Sequence, residues 1–321
     1  MTRAGIAAGL IVVGLIAAAL GNVAPAAGAD IVDAVRTASD ARNFALAERE
    51  VQSYRSTVGV TADMLEALSW MARGALEDKQ YDRADKYATE TRQLSLDLLK
   101  RAGKGDAPLV TALGAAIEVH AQVLAARGRR ADAVAYLETE ISTWSGSALA
   151  PRIQKNLNLL TLEGKAAPAL DVSHWLGAKP LSLAALKGHP VLLFFWAHWC
   201  GDCKAEVPIL ARLMQAYGPR GLVLVGPTQL YGYTADGDAT PEAETRYTDQ
   251  VRRQFYAALG GMPAPLSAEN FQRYGCSTTP TLVLLDSAGV VRLYHPGAMS
   301  YDTLAGAVKR VLGPGAGGLH S

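Results

Sequence analysis

The spacing of apolar residues divides the chain into two parts. Between about residues 30 and 164, apolar positions recur with the period of an α-helix, and proline and glycine are almost absent from the runs. Ala84, Tyr87 and Ala88, for example, would share one helical face. We therefore predict an all-α domain over residues 30–164.

Three helical segments of this part resemble one another. Each places an alanine near the start of a helix that follows a short turn, at residues 44–47, 81–84 and 130–133. The pattern is similar to the second helix of tetratricopeptide repeats, where a small residue lets paired helices approach. The alanines are unequally spaced and the Trp-Leu-Gly-Tyr signature is largely missing. Two interpretations stay open: a degenerate tetratricopeptide-like array, or a plain helical bundle that positions the second part.

The period of the pattern changes after residues 165–180, which contain Pro168, Gly177 and Pro180 and are predicted to form a hinge. Four short apolar runs bounded by turn residues then predict strands at 191–196, 222–225, 281–285 and 290–294. Helical runs lie between and after them, at 203–217, 242–259 and 301–312. This order predicts an α/β domain over residues 165–312, with a mixed sheet flanked by helices. The glycine-rich residues 313–321 are predicted to be a flexible tail.

The first 29 residues have the order of a secretory signal peptide. One positive charge precedes an apolar run at residues 6–20, and a small-x-small triplet ends at Ala29. We expect cleavage after Ala29 and an exported, periplasmic protein. The alternative is an uncleaved N-terminal membrane anchor, although the run is shorter than the about 20 residues of a spanning helix. The segment contains no cysteine, which excludes a lipid-modified one.

Charge and cysteine content narrow the function. The 321 residues carry a net charge of +1, so the chain lacks the excess of basic residues that is typical of nucleic-acid-binding proteins. Three cysteines are too few for a framework of structural disulfides. Cys200 and Cys203 are separated by two residues, so a disulfide between them closes a very small loop and removes little chain entropy from the unfolded state. Such a bond stabilises the fold little, and the spacing suits a disulfide that opens and closes. Three cysteines and His198 make a four-ligand zinc site a poor fit, and the helical face is expected to point the Cys200 and Cys203 thiols outward. No metal or organic cofactor is expected.

The two close cysteines stand where a predicted strand ends and a helix begins. Unpaired backbone N–H groups and the helix dipole make that helix terminus positive. This favours a thiolate at Cys200, which is the expected nucleophile. Cys203, one turn further along, can attack the mixed disulfide formed at Cys200 and release a reduced partner.

The surrounding residues resemble a known family. A Trp-Cys-x-x-Cys motif after an apolar strand, followed by Lys204 and, some eighty residues later, by residues 279–281 of sequence Thr-Pro-Thr, looks like thioredoxin. The sequence Lys-Ala-Glu-Val-Pro at residues 204–208 is more similar to the exported bacterial TlpA/ResA-like thiol–disulfide oxidoreductases. The resemblance covers about residues 169–312 and implies a thioredoxin-like fold.

This resemblance implies roles for individual residues. Cys200 would be the attacking thiolate and Cys203 the resolving thiol. Glu206 matches an acidic residue of the family that exchanges protons with the second cysteine. In thioredoxin a buried aspartate has this role, but Phe194 stands at that position here, so the role is available to Glu206. The alternative for Glu206 is a solvated surface charge.

The same resemblance places substrate contacts around the cysteines. Pro280 would follow a cis peptide bond from Thr279, beside which an extended substrate segment binds. Trp199 would form a partly exposed apolar rim for the substrate, whereas Trp196 is expected in the core.

Several residues depart from the family pattern. Asp202 replaces a common proline between the cysteines and would disfavour a nearby thiolate, which leaves the redox potential open. His198 either stabilises that thiolate when protonated or is a surface residue without a role. Cys276 is expected to be a buried small hydrophobe rather than a third redox thiol. Residues 229–242 are predicted to be a solvated loop.

The expected activity is reversible exchange with protein disulfides. The resemblance implies that the protein acts as a reductase that receives electrons from a membrane thiol donor. The helical domain would have a protein partner or serve as a scaffold. One alternative is a docking module without catalysis. A peroxiredoxin-like peroxidase is a weaker one, because Leu193 and Ala197 replace the proline and threonine that it needs.

Overall fold

A computed structural model describes residues 27–103 and 106–313. The predicted signal peptide therefore lies almost entirely outside the described residues, and so does the predicted tail after residue 313. Seven helices come first in the described part. They are α1 (Ala27–Asp40), α2 (Phe44–Thr57), α3 (Ala62–Glu77), α4 (Tyr81–Ala102), α5 (Ala107–Ala126), α6 (Arg130–Thr143) and α7 (Ala150–Thr161).

Small buried residues let these helices pack closely. Ala47, Ala84 and Ala133, from the three similar segments, are all fully buried. Successive helices contact one another, and α1, α3, α5 and α7 also contact in that order. The tetratricopeptide-like interpretation remains a prediction.

One described helix, α5, is long and apolar enough to cross a membrane. In this structure, however, it packs against α3, α4, α6 and α7, and more than half of its apolar stretch is buried. Its apolar character is therefore explained by its position in the core of the helical part.

The second part consists of short strands alternating with helices. The strands are β1 (Trp175–Leu176), β2 (Val191–Phe195), β3 (Val223–Val225), β4 (Tyr233–Thr234), β5 (Gly237–Asp238), β6 (Ala264–Pro265), β7 (Thr281–Leu285) and β8 (Val291–Pro296). The helices are α8 (Gly201–Tyr217), α9 (Pro241–Phe255), α10 (Ala268–Arg273) and α11 (Tyr301–Leu312).

The central sheet has the strand order β3-β2-β7-β8. β2 is parallel to β3 and antiparallel to β7, which is antiparallel to β8. These are the order and directions of the thioredoxin fold, so the predicted fold class is confirmed.

Both faces of β2 are buried, which explains its continuous apolar run. Leu192 and Phe194 belong to a core that includes residues of α8 and α11, whereas Leu193 and Phe195 belong to a second core on the other face. Cys276 lies buried in that second core, as predicted.

Some short elements escaped prediction. The strands β1, β4, β5 and β6 have two residues each and α10 has six, so their patterns are too short to detect. The prediction of a solvated loop at 229–242 is wrong in part, because β4 pairs with β5 there and α9 begins at Pro241.

The two parts of the molecule meet where α7 packs against α10 and β8. Gly164 donates its N–H to the Val291 carbonyl at 2.8 Å, and Lys165, the first residue of the predicted hinge, accepts the Val291 N–H at 2.9 Å. The start of the hinge is therefore bonded to β8. Gly275 has φ +62°, and a Cβ placed there would lie 2.3 Å from the backbone nitrogen of Lys155. Only glycine therefore fits this close approach of the two parts.

Candidate active site at the Cys200–Cys203 turn

The turn between β2 and α8 is fixed by the residue that follows the strand. Trp196 is fully buried, as predicted, and its indole Nε1 donates to the Gly226 carbonyl at 2.9 Å. Its backbone N–H donates to the Pro227 carbonyl at 3.1 Å, and its carbonyl accepts from Thr228 Oγ1 at 2.8 Å. These bonds hold the start of the turn against the loop after β3.

Cys200 and Cys203 form a disulfide at the start of α8. Cys200 is the N-cap residue, and its Sγ accepts the Cys203 N–H at 3.0 Å. The expectation that the helix points both thiols outward is wrong for this state. Cys200 is 3 % exposed and Cys203 is fully buried, because both pack into the core between the sheet and α8.

Glu206 lies one turn beyond the cysteines and is only 2 % exposed. One of its carboxylate oxygens accepts the Met299 N–H at 3.3 Å. Burial raises the pKa of this carboxyl, and the single backbone hydrogen bond opposes the shift only in part. The alternative of a solvated surface charge is therefore wrong.

The peptide bond between Thr279 and Pro280 is cis. β7 begins at the next residue, Thr281, which pairs with Phe195 at the end of β2. This register places Pro280 at the same end of the sheet as the turn that leads to Cys200.

Trp199 has the exposure expected of a rim residue. Its side chain is 49 % exposed, and its ring meets that of Tyr231 edge to face, with centroids 5.4 Å apart. An exposed aromatic surface therefore lies directly beside Cys200.

His198 is not a surface residue, and that alternative is wrong. It is 1 % exposed, and its Nε2 lies 3.1 Å from an oxygen of Glu244, whose side chain is 0 % exposed. Burial lowers the pKa of His198, although Glu244 acts in the opposite direction. Three tyrosine rings surround the imidazole, with centroids 5.3 to 5.6 Å from its own: those of Tyr231, Tyr233 and Tyr247. The sequence analysis did not predict this aromatic environment.

Glu244 is the residue of this site that sequence reasoning missed. Its carboxylate accepts the backbone N–H groups of Tyr231 and Gly232 at 2.5 and 2.7 Å. It therefore joins α9, the loop after β3 and the turn before Cys200. Glu244 is 46 positions from His198, and no local pattern marks it.

Comparisons with known proteins cover the part of the chain that carries this site. The AhpC/TSA family profile matches residues 164–229. The thiol–disulfide oxidoreductase ResA of Bacillus anthracis is 28 % identical over 152 residues, which are 46 % of this chain and 78 % of ResA. The protein DipZ of Mycobacterium tuberculosis is 29 % identical over 157 residues, 46 % of this chain and 21 % of DipZ.

Solved structures are similar over the same extent. A putative thiol:disulfide interchange protein DsbE from Chlorobium tepidum is 24 % identical, with a TM-score of 0.37. The match covers 47 % of this chain and 98 % of that one.

Proposed function

Because the second part of this chain is a ResA-like thiol–disulfide oxidoreductase domain, we propose that it reduces disulfides of exported proteins through Cys200 and Cys203. The observation that carries the proposal is the disulfide at the N-terminus of α8, where the positive end of the helix stabilises a thiolate. Export is proposed from the signal-like residues 1–29.

The exchange runs in two steps. The Cys200 thiolate attacks one sulfur of the substrate disulfide, forms a mixed disulfide and releases one substrate thiolate. Cys203, as a thiolate, then attacks the Cys200 sulfur and releases the second substrate thiolate. The substrate disulfide has gained two electrons, and the enzyme dithiol has lost two and become the disulfide of this structure.

The enzyme is restored by a dithiol donor, which we propose to be a membrane thiol carrier. The donor thiolate attacks Cys200 rather than Cys203, because only Cys200 retains any exposure. A second donor thiol completes the exchange and leaves both enzyme cysteines reduced.

Glu206 is proposed to accept the proton of the Cys203 thiol in the second step. Its buried position supports this role, since a carboxyl with a raised pKa is better matched to a thiol. Trp199, Thr279 and Pro280 are proposed to contact the substrate segment around its disulfide, because they lie beside Cys200 or at the same end of the sheet.

The reduction potential of the mature protein, equilibrated with dithiothreitol or glutathione buffers, tests this function. We expect a two-electron couple near that of thioredoxin, about −270 mV. The Cys203→Ser variant should accumulate a mixed disulfide with a protein substrate such as insulin, and Cys200→Ser should form none. A potential near −120 mV would indicate an oxidant instead, and the lack of any reversible couple would favour a docking module without catalysis.

A further inference from the structure

Two cations of the helical part lie over one aromatic ring. The guanidinium groups of Arg36, on α1, and Arg73, on α3, lie 4.5 and 4.4 Å from the centroid of Trp70. Arg36 is exposed and also lies 4.0 Å from Asp40 of its own helix. The contacts with one ring place Arg36 and Arg73 on the same face of the helical part.

The same face continues onto α5 and α7. Arg152 and Lys155, on α7, both bind Glu118 of α5, at 2.7 and 2.9 Å. The Arg152 side chain lies against α5, because a Cβ at Gly114 would be 3.1 Å from its Cδ. Both carboxylate oxygens of Glu118 are therefore already paired with cations, which leaves little room for an ion pair with a third.

Arg73 is the cation of this face that lacks a partner. It is half-buried, and none of the ion pairs formed within residues 27–103 and 106–313 includes it. Burial, followed by the nearby Arg152, lowers the pKa of Arg73 to about 10, against the opposing attraction of Glu118 and Glu66. A desolvated guanidinium without a counter-ion is unfavourable, so an anion placed here would be stabilised.

We propose that Arg73 binds a carboxylate of an acidic segment in a partner protein. The Trp70 ring lies 4.4 Å from the Arg73 guanidinium and attracts it, and a planar guanidinium can donate two parallel hydrogen bonds to a carboxylate. Charge favours this occupant, because the four cations Arg36, Arg73, Arg152 and Lys155 outnumber the three carboxylates near them, and Arg73 forms none of the ion pairs within the described residues. These carboxylates belong to Asp40, Glu66 and Glu118. The proposal assigns a binding surface to the helical part and does not depend on the redox function of the second part.

Fluorescence anisotropy of a fluorescein-labelled hexaglutamate peptide, titrated with the full chain, tests the proposal. We expect Arg73→Gln to weaken binding about tenfold, the usual effect of losing one charged hydrogen-bond pair. Arg49→Gln is the matched control, since Arg49 is an exposed arginine of α2 and its loss changes the net charge equally. Arg49→Gln should leave the affinity unchanged, and a hexalysine peptide should not bind.

Two further variants separate binding from folding. Arg73→Lys keeps the charge but loses the planar fork, so it should recover only part of the affinity. Arg73→Met removes the unpaired charge and keeps an apolar stem on Trp70, so it should weaken peptide binding at least as much as Arg73→Gln without lowering the melting temperature.

Three results would overturn the proposal. The first is equal weakening by Arg49→Gln and Arg73→Gln, which would mean unspecific attraction. The second is a melting temperature lowered by several degrees in Arg73→Met, which would assign Arg73 a structural role. The third is binding to phosphatidylglycerol vesicles in place of the peptide, which would identify a lipid surface as the occupant.

Discussion

Glu206 and Glu244 are two buried carboxylates near the Cys200–Cys203 turn: Glu206 lies one helical turn after Cys203, and Glu244 contacts His198, two residues before Cys200. Glu206 accepts one backbone N–H, from Met299, and burial raises its pKa. Glu244 accepts two backbone N–H groups and faces His198. The two carboxylates are equally buried but differ in the number of donors around them, so we expect Glu206 to exchange a proton and Glu244 to hold its backbone donors in place.

The largest effect should come from Glu244→Gln. The side-chain amide has one acceptor oxygen, so in either orientation its NH2 group faces one of the two backbone N–H donors, that of Tyr231 or that of Gly232. We expect the free energy of unfolding to fall by about 3 kcal/mol, the cost of breaking a buried network. Urea denaturation measures it, with the exposed Glu138→Gln as the control. A loss no larger than that of the control would show that the Glu244 hydrogen bonds do not stabilise the fold.

Glu206→Gln should act on the reaction instead. The amide keeps the oxygen that accepts from Met299 but cannot carry a proton, so reduction of insulin should slow by about a hundredfold. The rate should also lose the pH dependence that Glu206 gives the wild type. If Glu206→Gln and Glu138→Gln reduced insulin at the same rate, Glu206 would have no part in proton transfer.

The same substitution should alter stability in the opposite direction from Glu244→Gln. A carboxyl with a raised pKa binds more protons in the folded than in the unfolded state, so its contribution to stability falls as pH rises. Unfolding in urea at pH 4 to 8 should show this slope in the wild type. Glu206→Gln should remove it and be at least as stable as the wild type at pH 7.

His198 should give stability the opposite dependence on pH. Its lowered pKa means that the unfolded state binds more protons, so its contribution is complete above the unfolded pKa of about 6.5 and is lost as pH falls below it. His198→Gln should show a smaller loss of stability between pH 7.5 and pH 5 than the wild type. If His198→Gln lost as much stability between pH 7.5 and pH 5 as the wild type, other groups would be responsible for that loss. His174→Gln, a change at an exposed histidine, is the control.

The smallest effect is expected at the exposed rim. Trp199→Ala removes aromatic surface beside Cys200 but no buried partner, so KM for a protein substrate should rise a few-fold, as for the loss of about 1 kcal/mol. The rate with the small substrate hydroxyethyl disulfide should not change. An equal change with both substrates would mean that Trp199 positions the cysteines rather than the substrate.

Residues marked by a local pattern were predictable from sequence. The continuous run of β2 indicated a buried strand. The family resemblance supplied the core position of Trp196 and the rim position of Trp199. The family resemblance supplied the cis bond before Pro280.

The His198–Glu244 pair could not be predicted in the same way. The sequence around a glutamate does not show whether its side chain will be buried or solvated. Only the tertiary fold brings Glu244, on α9, to the turn before Cys200. Burial of the disulfide also depends on side chains from distant elements, so the sequence pattern at the start of α8 indicated exposure instead.

The close approach at Gly275 bears on how the two parts work together. Since any side chain at this position would collide with the Lys155 backbone, the two parts touch backbone to backbone here, five residues before Pro280. A partner bound at Arg73 would therefore be held on a part of the molecule that packs directly against the disulfide-bearing part, whereas a flexible linker alone would only raise its local concentration.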